Sequence, residues 1–427
     1  MRNVIAITFD SLRADHCGYI GYERDTTPTL DKMAAKGVSF KNAIAPASRT
    51  NPSMSGIFTG EPLVVRDKVS DRTNSRNHIE RHGTLAEDLS DMGYTTGAFC
   101  PNAYSSRYYG FDRGFDRFED FLFQNDLYQR IFESHLSDST LVTWVRNIRN
   151  YVRRQEAFKT WDTYIDDMVE WAISQEEPFF LWAFSLDTHF PYITPKRYRT
   201  WGSLLDMYIY NWRCNQLIDE FDIDLSERDR QKMIDIYDDS IKFGDALIGE
   251  LQDRLAAYDP IFVIFGDHGE AFGERDMYGH FYPSLYEENV HVPLVVWDPM
   301  GSAERTVKEP FSLLELGPLI KTVVTKGIEN ISKVKSSRPV ISTDYDGRWE
   351  RNLTSVRVGD NKCIQTETKS ECTYEQYDLS IDPEESQNIS NESTETTDAM
   401  QALIERRIQH EREQLAIREA AASVGLN

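Results

Sequence analysis

Three short apolar runs limit what this chain can fold into: Val4–Phe9, Phe179–Leu186 and Ile261–Phe265. Each is too short for a buried helix and lacks polar alternation, as in strands covered on both faces of a parallel sheet. Helical patterns fill the chain between them. Thr27–Gly37 has Pro28 in its first turn, Leu30, Met33 and Ala34 on one face, and Gly37 as its stop. Thr84–Gly93 reads as a second capped helix, Trp161–Ser174 as an amphipathic one, and Tyr237–Leu255 as a long one. Val38–Phe40, Tyr94–Phe99 and Val292–Trp297 add extended segments. This alternation predicts an α/β fold, a parallel sheet with helices on both faces.

After about residue 338 the texture changes. Pro339–Thr343, Ser355–Val358 and Lys362–Thr366 read as short strands of a small antiparallel annex. Beyond Asn391 the chain turns polar and then helical over Met400–Ala422. We therefore divide it into a core (1–335), a C-terminal antiparallel subdomain (336–390) packed on that core, and a charged helical tail (391–427). The tail is a candidate contact for oligomers. Phe121–Arg154, rich in aromatics and arginine without a clear period, is read as an inserted helical segment.

Composition narrows the partners. With 40% hydrophobic and 12% aromatic residues in 427, the chain can bury a large core. Its formal net charge of −23 argues against nucleic acid or an anionic membrane surface as partner. The same excess of carboxylates suits a halophilic protein in a high-salt cytoplasm. No segment reaches the roughly 18 apolar residues of a membrane span, and the first apolar run is too short for a signal peptide. A cytoplasmic location is expected. The five cysteines are scattered without a CxxC pair, which points to free thiols rather than a zinc knuckle or disulfide framework.

Ligands gather at the carboxyl ends of strands in open α/β sheets. Asp10 ends the first run, and Gly266-Asp267-His268-Gly269-Glu270 follows the third. Two carboxylates and an imidazole converging on one sheet edge would make a hard, mostly oxygen site for Ca²⁺, Mg²⁺, Mn²⁺ or Zn²⁺. A hydroxyl comes from Arg49-Thr50-Asn51-Pro52-Ser53, where Ser, Thr and Pro favour the start of a helix and its unpaired N–H groups attract anions. Taken alone, Thr50 is an ordinary helix cap. His189, after the second run, and His280, in Tyr278-Gly279-His280, could hold a tetrahedral anion or protonate a leaving oxygen.

In order along the chain, Asp10-Ser11-Leu12-Arg13, Thr27-Pro28-Thr29-Leu30, Thr50-Asn51-Pro52-Ser53, Thr59-Gly60 and Gly114-Phe115-Asp116 form a specific set. His189-Phe190-Pro191, Gly266-Asp267-His268-Gly269-Glu270 and Tyr377-Asp378-Leu379 through Asp382-Pro383-Glu384-Glu385 extend it. The set resembles the sulfatase branch of the alkaline phosphatase superfamily over roughly residues 3–390. The resemblance implies a central mainly parallel sheet sandwiched by helices, a metal-dependent hydrolase, and a nucleophile at Thr50. One divalent ion would be held by Asp10, Thr50, Asp267 and His268.

The chain departs from that family pattern at several points. Sulfatases of this type carry Cys or Ser at the Thr50 position, converted to formylglycine, and Arg where Met54 stands. A threonine cannot be converted by that route, so no formylglycine is expected. Ser11 replaces the second aspartate of the opening pair. Ala98-Phe99-Cys100-Pro101-Asn102 occupies the region of one anion-binding lysine, and His280 stands in place of another. Threonine nucleophiles do occur in phosphoryl-transfer relatives, including phosphodiesterases.

The sequence therefore predicts a hydrolase or transferase of sulfate or phosphate esters, on a small molecule or a glycan- or lipid-linked substrate. Thr50, His189 and His280 would be catalytic, and Arg13, Arg49 and Asn102 would bind substrate, with Arg107 a further candidate for local positive charge. The competing reading is a degenerate member that keeps fold and metal without turnover.

Overall fold

The computed structural model describes residues 1–63, 70–121, 159–176, 178–219, 225–280, 282–301, 303–333, 339–347, 350–392 and 394–423. Most of the inserted segment expected over 121–154 lies outside the described residues. The core strands are β1 (Val4–Phe9), β2 (Val38–Ile44), β3 (Thr95–Phe99), β4 (Arg117–Glu119), β5 (Phe179–Ser185) and β6 (Ile261–Gly266). A two-stranded ribbon, β7 (Ala271–Phe272) and β8 (Tyr278–Gly279), precedes β9 (His291–Trp297), β10 (Arg305–Val307) and β11 (Phe311–Ser312). The main sheet runs in the order β10-β2-β9-β6-β1-β5-β3-β4, with β11 paired to β2.

The pairings are parallel except for those made by β9, which runs against both β6 and β2. The sheet is thus mainly parallel, as the family resemblance implies. A strand buried on both faces has the same apolar pattern in either direction, so the sequence does not reveal the reversal of β9.

Successive strand residues feed two separate cores. Val4, Ala6, Phe180, Trp182, Val263 and Phe265 pack with Met54, Ile57, Leu89 and Leu319 on one face. Ile5, Ile7, Leu181, Ala183, Phe262 and Ile264 pack with Leu30, Met33, Met168 and Leu251 on the other. Each fully buried side chain of this kind contributes about 1.5–3 kcal/mol relative to exposure. Thr8, the polar residue within β1, accepts a hydrogen bond from Trp182 Nε1 at 3.0 Å.

The C-terminal sheet has four antiparallel strands, one more than the sequence shows: β12 (Val340–Asp346), β13 (Arg351–Val358), β14 (Asn361–Glu367) and β15 (Cys372–Asp378). Met400 and Ile404 of the Glu395–Ser423 helix pack against Val356 and Cys363 of this sheet. All five cysteines are free thiols, and four of them are buried. Among the described residues, no helix is long and apolar enough to cross a membrane.

Candidate active site

Sheet register builds the site. Phe9 of β1 pairs with Gly266 of β6, so the residues that follow, Asp10 and Asp267, leave the sheet side by side. Asp10 N donates to Ser185 O at 3.0 Å and Asp267 N to Phe9 O at 3.2 Å, which carries the ladders one residue past the strands. The chain then turns at Ser11, whose φ of 60° lies in the left-handed region that non-glycine residues rarely adopt. Ser11 N and His268 N both donate to Asp267 Oδ1, at 3.1 and 2.9 Å. Asp267 Oδ2 is buried and has no hydrogen-bond partner.

His268 completes the group. Its Nδ1 lies 2.8 Å from Gly269 O, and a carbonyl only accepts, so Nδ1 carries the proton. The Nε2 lone pair therefore faces Asp10 Oδ1 at 3.5 Å and Asp267 Oδ2 at 3.7 Å. Burial, with His280 beside it, lowers the imidazole pKa to about 4, so the ring is neutral near pH 7. Burial and then Asp10 push the Asp267 carboxyl well above the usual carboxylate range. Ligand atoms of Asp10, Asp267 and His268 lie within 4.8 Å of one another, and all three residues are buried. Two carboxylates, one of them with an orphaned oxygen, and a bare imidazole nitrogen fit a divalent cation, which would offset the charge the site concentrates.

Gly269 makes this loop possible. A Cβ there would sit 2.1 Å from Glu288 O, because the loop crosses the Glu287–Val290 turn in contact. Gly269 N donates to Asn289 O at 2.8 Å and Glu270 N to Glu288 O at 2.9 Å.

Thr50 enters from the Thr50–Thr59 helix. It is not the cap: Arg49 occupies that position without a side-chain cap bond, and Thr50 begins the helix. Its hydroxyl instead donates to His268 Nε2 at 3.2 Å. Ser53 Oγ donates to Asp267 O at 2.6 Å, docking the helix start on the metal-type loop. Pro52 lies in the first turn, where its missing N–H costs no intrahelical bond. Met54, where the family carries arginine, is fully buried in an apolar cluster.

The other sequence candidates divide into two groups. His280 and His189 stand beside the trio: His280 ring centroids lie 4.5 Å from His268 and 5.0 Å from His189. Asn102 Nδ2 donates to Asp10 Oδ2 at 2.5 Å, which puts its amide against that carboxylate. The arginines are already paired. Arg13 binds Asp15 and Glu274 and donates to Glu270 O at 2.9 Å. Arg49 binds Asp344 and Tyr345 O, and Arg107 binds Asp120.

Two buried acids that the sequence reading does not single out join the site. Glu270 presents both carboxylate oxygens to His280 Nδ1 at 3.2 Å, and burial raises its pKa to about 7. Its signal was its place in the Gly266–Glu270 motif. Asp344 comes from β12, and no local pattern marks it.

A mainly parallel α/β sheet with a buried acid–acid–imidazole group and a hydroxyl at its carboxyl edge defines a hydrolase of the alkaline phosphatase superfamily. The sulfatase family model matches residues 2–324, and the chain belongs to that family. It is 23% identical over 444 residues to an arylsulfatase of Clostridium perfringens, covering 91% of this chain and 90% of that one. It is 22% identical to an N-acetylgalactosamine-6-O-sulfatase of Bacteroides thetaiotaomicron, covering 94% and 92%. In structure it resembles the phosphonate monoester hydrolase of Agrobacterium radiobacter, with a TM-score of 0.64, 17% identity, and 98% and 96% coverage. The chain is thus a hydrolase acting on sulfate or phosphate ester bonds.

Proposed function

We propose that Thr50 is the nucleophile of a divalent-metal-dependent esterase that acts on sulfate or phosphorus esters without formylglycine. The observation that carries this reading is the 3.2 Å contact of Thr50 Oγ1 with His268 Nε2, inside the Asp10–Asp267–His268 group. A divalent cation held by Asp10, Asp267, His268 and Thr50 would lower the hydroxyl pKa and neutralise charge on the transferring group. Thr50 Oγ1, its proton lost to solvent, attacks sulfur or phosphorus, and the bond to the leaving oxygen breaks. The neutral His280 relays a proton from Glu270, whose carboxyl pKa is raised by burial to about 7, to that oxygen, while His189 faces the anion. Water then cleaves the threonyl ester and restores the hydroxyl. A phosphonate monoester hydrolase among the fold neighbours supports testing phosphorus substrates beside sulfates.

The test is turnover of aryl sulfates, phosphate monoesters and phosphodiesters with Mn²⁺, Ca²⁺, Mg²⁺ or Zn²⁺, in wild type and Thr50→Ala. Loss of turnover in the variant is expected. A variant as active as wild type would sink the nucleophile reading, and inactive wild type with bound metal would favour the degenerate one.

A further inference from the structure

β12 runs beside the segment that leads into Thr50. Ser342 Oγ donates to Ala45 O at 2.6 Å, and Thr343 N donates to Pro46 O at 2.8 Å. Asp344 then takes the next two residues. Its Oδ2 accepts from Ser48 N at 3.2 Å and Ser48 Oγ at 2.8 Å. Its Oδ1 accepts from Arg49 Nη2 at 2.5 Å, Arg49 Nε at 3.2 Å and Tyr345 N at 2.8 Å. The Asp344 side chain is 0% exposed, so the carboxylate is held by donors alone. Ser48 Oγ also accepts from Ser284 N at 3.2 Å. One buried carboxylate thus ties together the approach to Thr50, the C-terminal sheet and the chain that follows His280.

We propose that Asp344 is a positioning residue for the reaction, acting through Ser48 and Arg49 to fix Thr50 Oγ1 against His268. This rests on the reading of Thr50 as nucleophile. Arg49 is the extended residue at the cap and Thr50 the first helical one, so the backbone angles set at 48–49 decide where the hydroxyl points. A carboxylate with five donors fixes those angles more firmly than water could, because a buried charge has no alternative partners. The C-terminal sheet, on this view, belongs to the catalytic apparatus.

The test uses the full chain with whichever ester and metal it turns over, and compares Asp344→Asn, Ser48→Ala and Thr50→Ala. Asp344→Asn keeps the shape and removes the charge. It is expected to lower kcat by roughly 10–100-fold, the scale of an ångström-sized misplacement, with KM within about threefold. Ser48→Ala, which removes one tie, should lower kcat less and again spare KM. A crystal structure of Asp344→Asn should show Thr50 Oγ1 drawn away from His268 Nε2. A kcat within about twofold of wild type, or an unmoved Thr50, would overturn the proposal. If Asp344→Asn does not fold, Ser48→Ala decides, and unchanged kcat overturns it. Inactive Thr50→Ala beside fully active Asp344→Asn removes only the positioning role. Active Thr50→Ala removes the nucleophile, and this proposal with it.

Discussion

Replacing Asp267 by Asn separates what the trio costs the fold from what it offers a cation. In metal-free protein Asp267 Oδ2 is buried without a partner, and the neighbouring Asp10 opposes its ionisation. An asparagine keeps the oxygen that accepts from Ser11 N and His268 N. It puts an N–H where Oδ2 now faces the His268 Nε2 lone pair, 3.7 Å away. Relieving one buried, unsatisfied charged group returns about 1–3 kcal/mol. At about 2.1 cal/mol/K of unfolding entropy per residue, 427 residues convert each kcal/mol into about 1 °C of Tm. The variant in EDTA should therefore melt about 1–3 °C above wild type. The carboxyl pKa is raised in the fold, so this advantage grows as pH rises from the unfolded carboxyl pKa towards the folded one, and is absent below the unfolded pKa. Adding Mn²⁺ or Ca²⁺ at a hundredfold excess over Kd should stabilise wild type by about 2.7 kcal/mol, or about 3 °C, and leave the variant unmoved. Calorimetry with and without EDTA reads both arms. A variant less stable than wild type in EDTA, or a wild type indifferent to all four candidate ions, would refute the reasoning.

Burial raises the Asp187 carboxyl to about 7, against roughly 3.9 in an unfolded chain. The native state then keeps a proton that the unfolded state loses, so stability falls as pH rises through that window, by up to about 4 kcal/mol. Asp187→Asn should gain on wild type between about pH 4 and 7 and keep a constant lead above that, and an advantage that does not change with pH would contradict this. The net charge of −23 predicts that the free energy of unfolding rises with KCl, and full stability in dilute buffer would count against salt adaptation.

The strands that carry the ligands could be read from the sequence because β1, β5 and β6 are buried on both faces and therefore nearly uniformly apolar. Asp10, Asp267 and His268 follow from where those runs stop. β15 could not be read: Cys372–Asp378 is a half-exposed edge strand whose polar residues give no burial signal. The long helix begins at Glu227, not near Tyr237, because its first turns are charged and mostly exposed until Met233 reaches the core. Pair partners are the least visible property. Arg49 and Asp344 are 295 positions apart, and nothing local to either predicts that they meet. Arg13 likewise reads as an available cation until its bonds to Asp15 and Glu274 are seen.

The departures from the family pattern are individually accommodated by the fold, which bears on the choice between a working and a decayed site. Ser11, in place of a carboxylate, turns its hydroxyl to Asp10 Oδ1 at 3.0 Å and so donates where a second aspartate would repel. Met54, in place of a cation, lies fully buried in an apolar core cluster, where a lone guanidinium would lack a partner. His280, in place of a lysine, is backed by Glu270 and lowered to a pKa of about 3 by burial and by His189, so it is neutral near pH 7. The family's charges on both sides of the reaction have been reduced together, a carboxylate along with cations. Random loss would leave buried charges stranded. Apart from Asp267 Oδ2, the orphan that a cation would satisfy, the remaining carboxylates around Thr50 each have a donor. That pattern favours a rebuilt site that retains turnover over a binding relic, and it makes the metal response of Asp267 the measurement on which both readings meet.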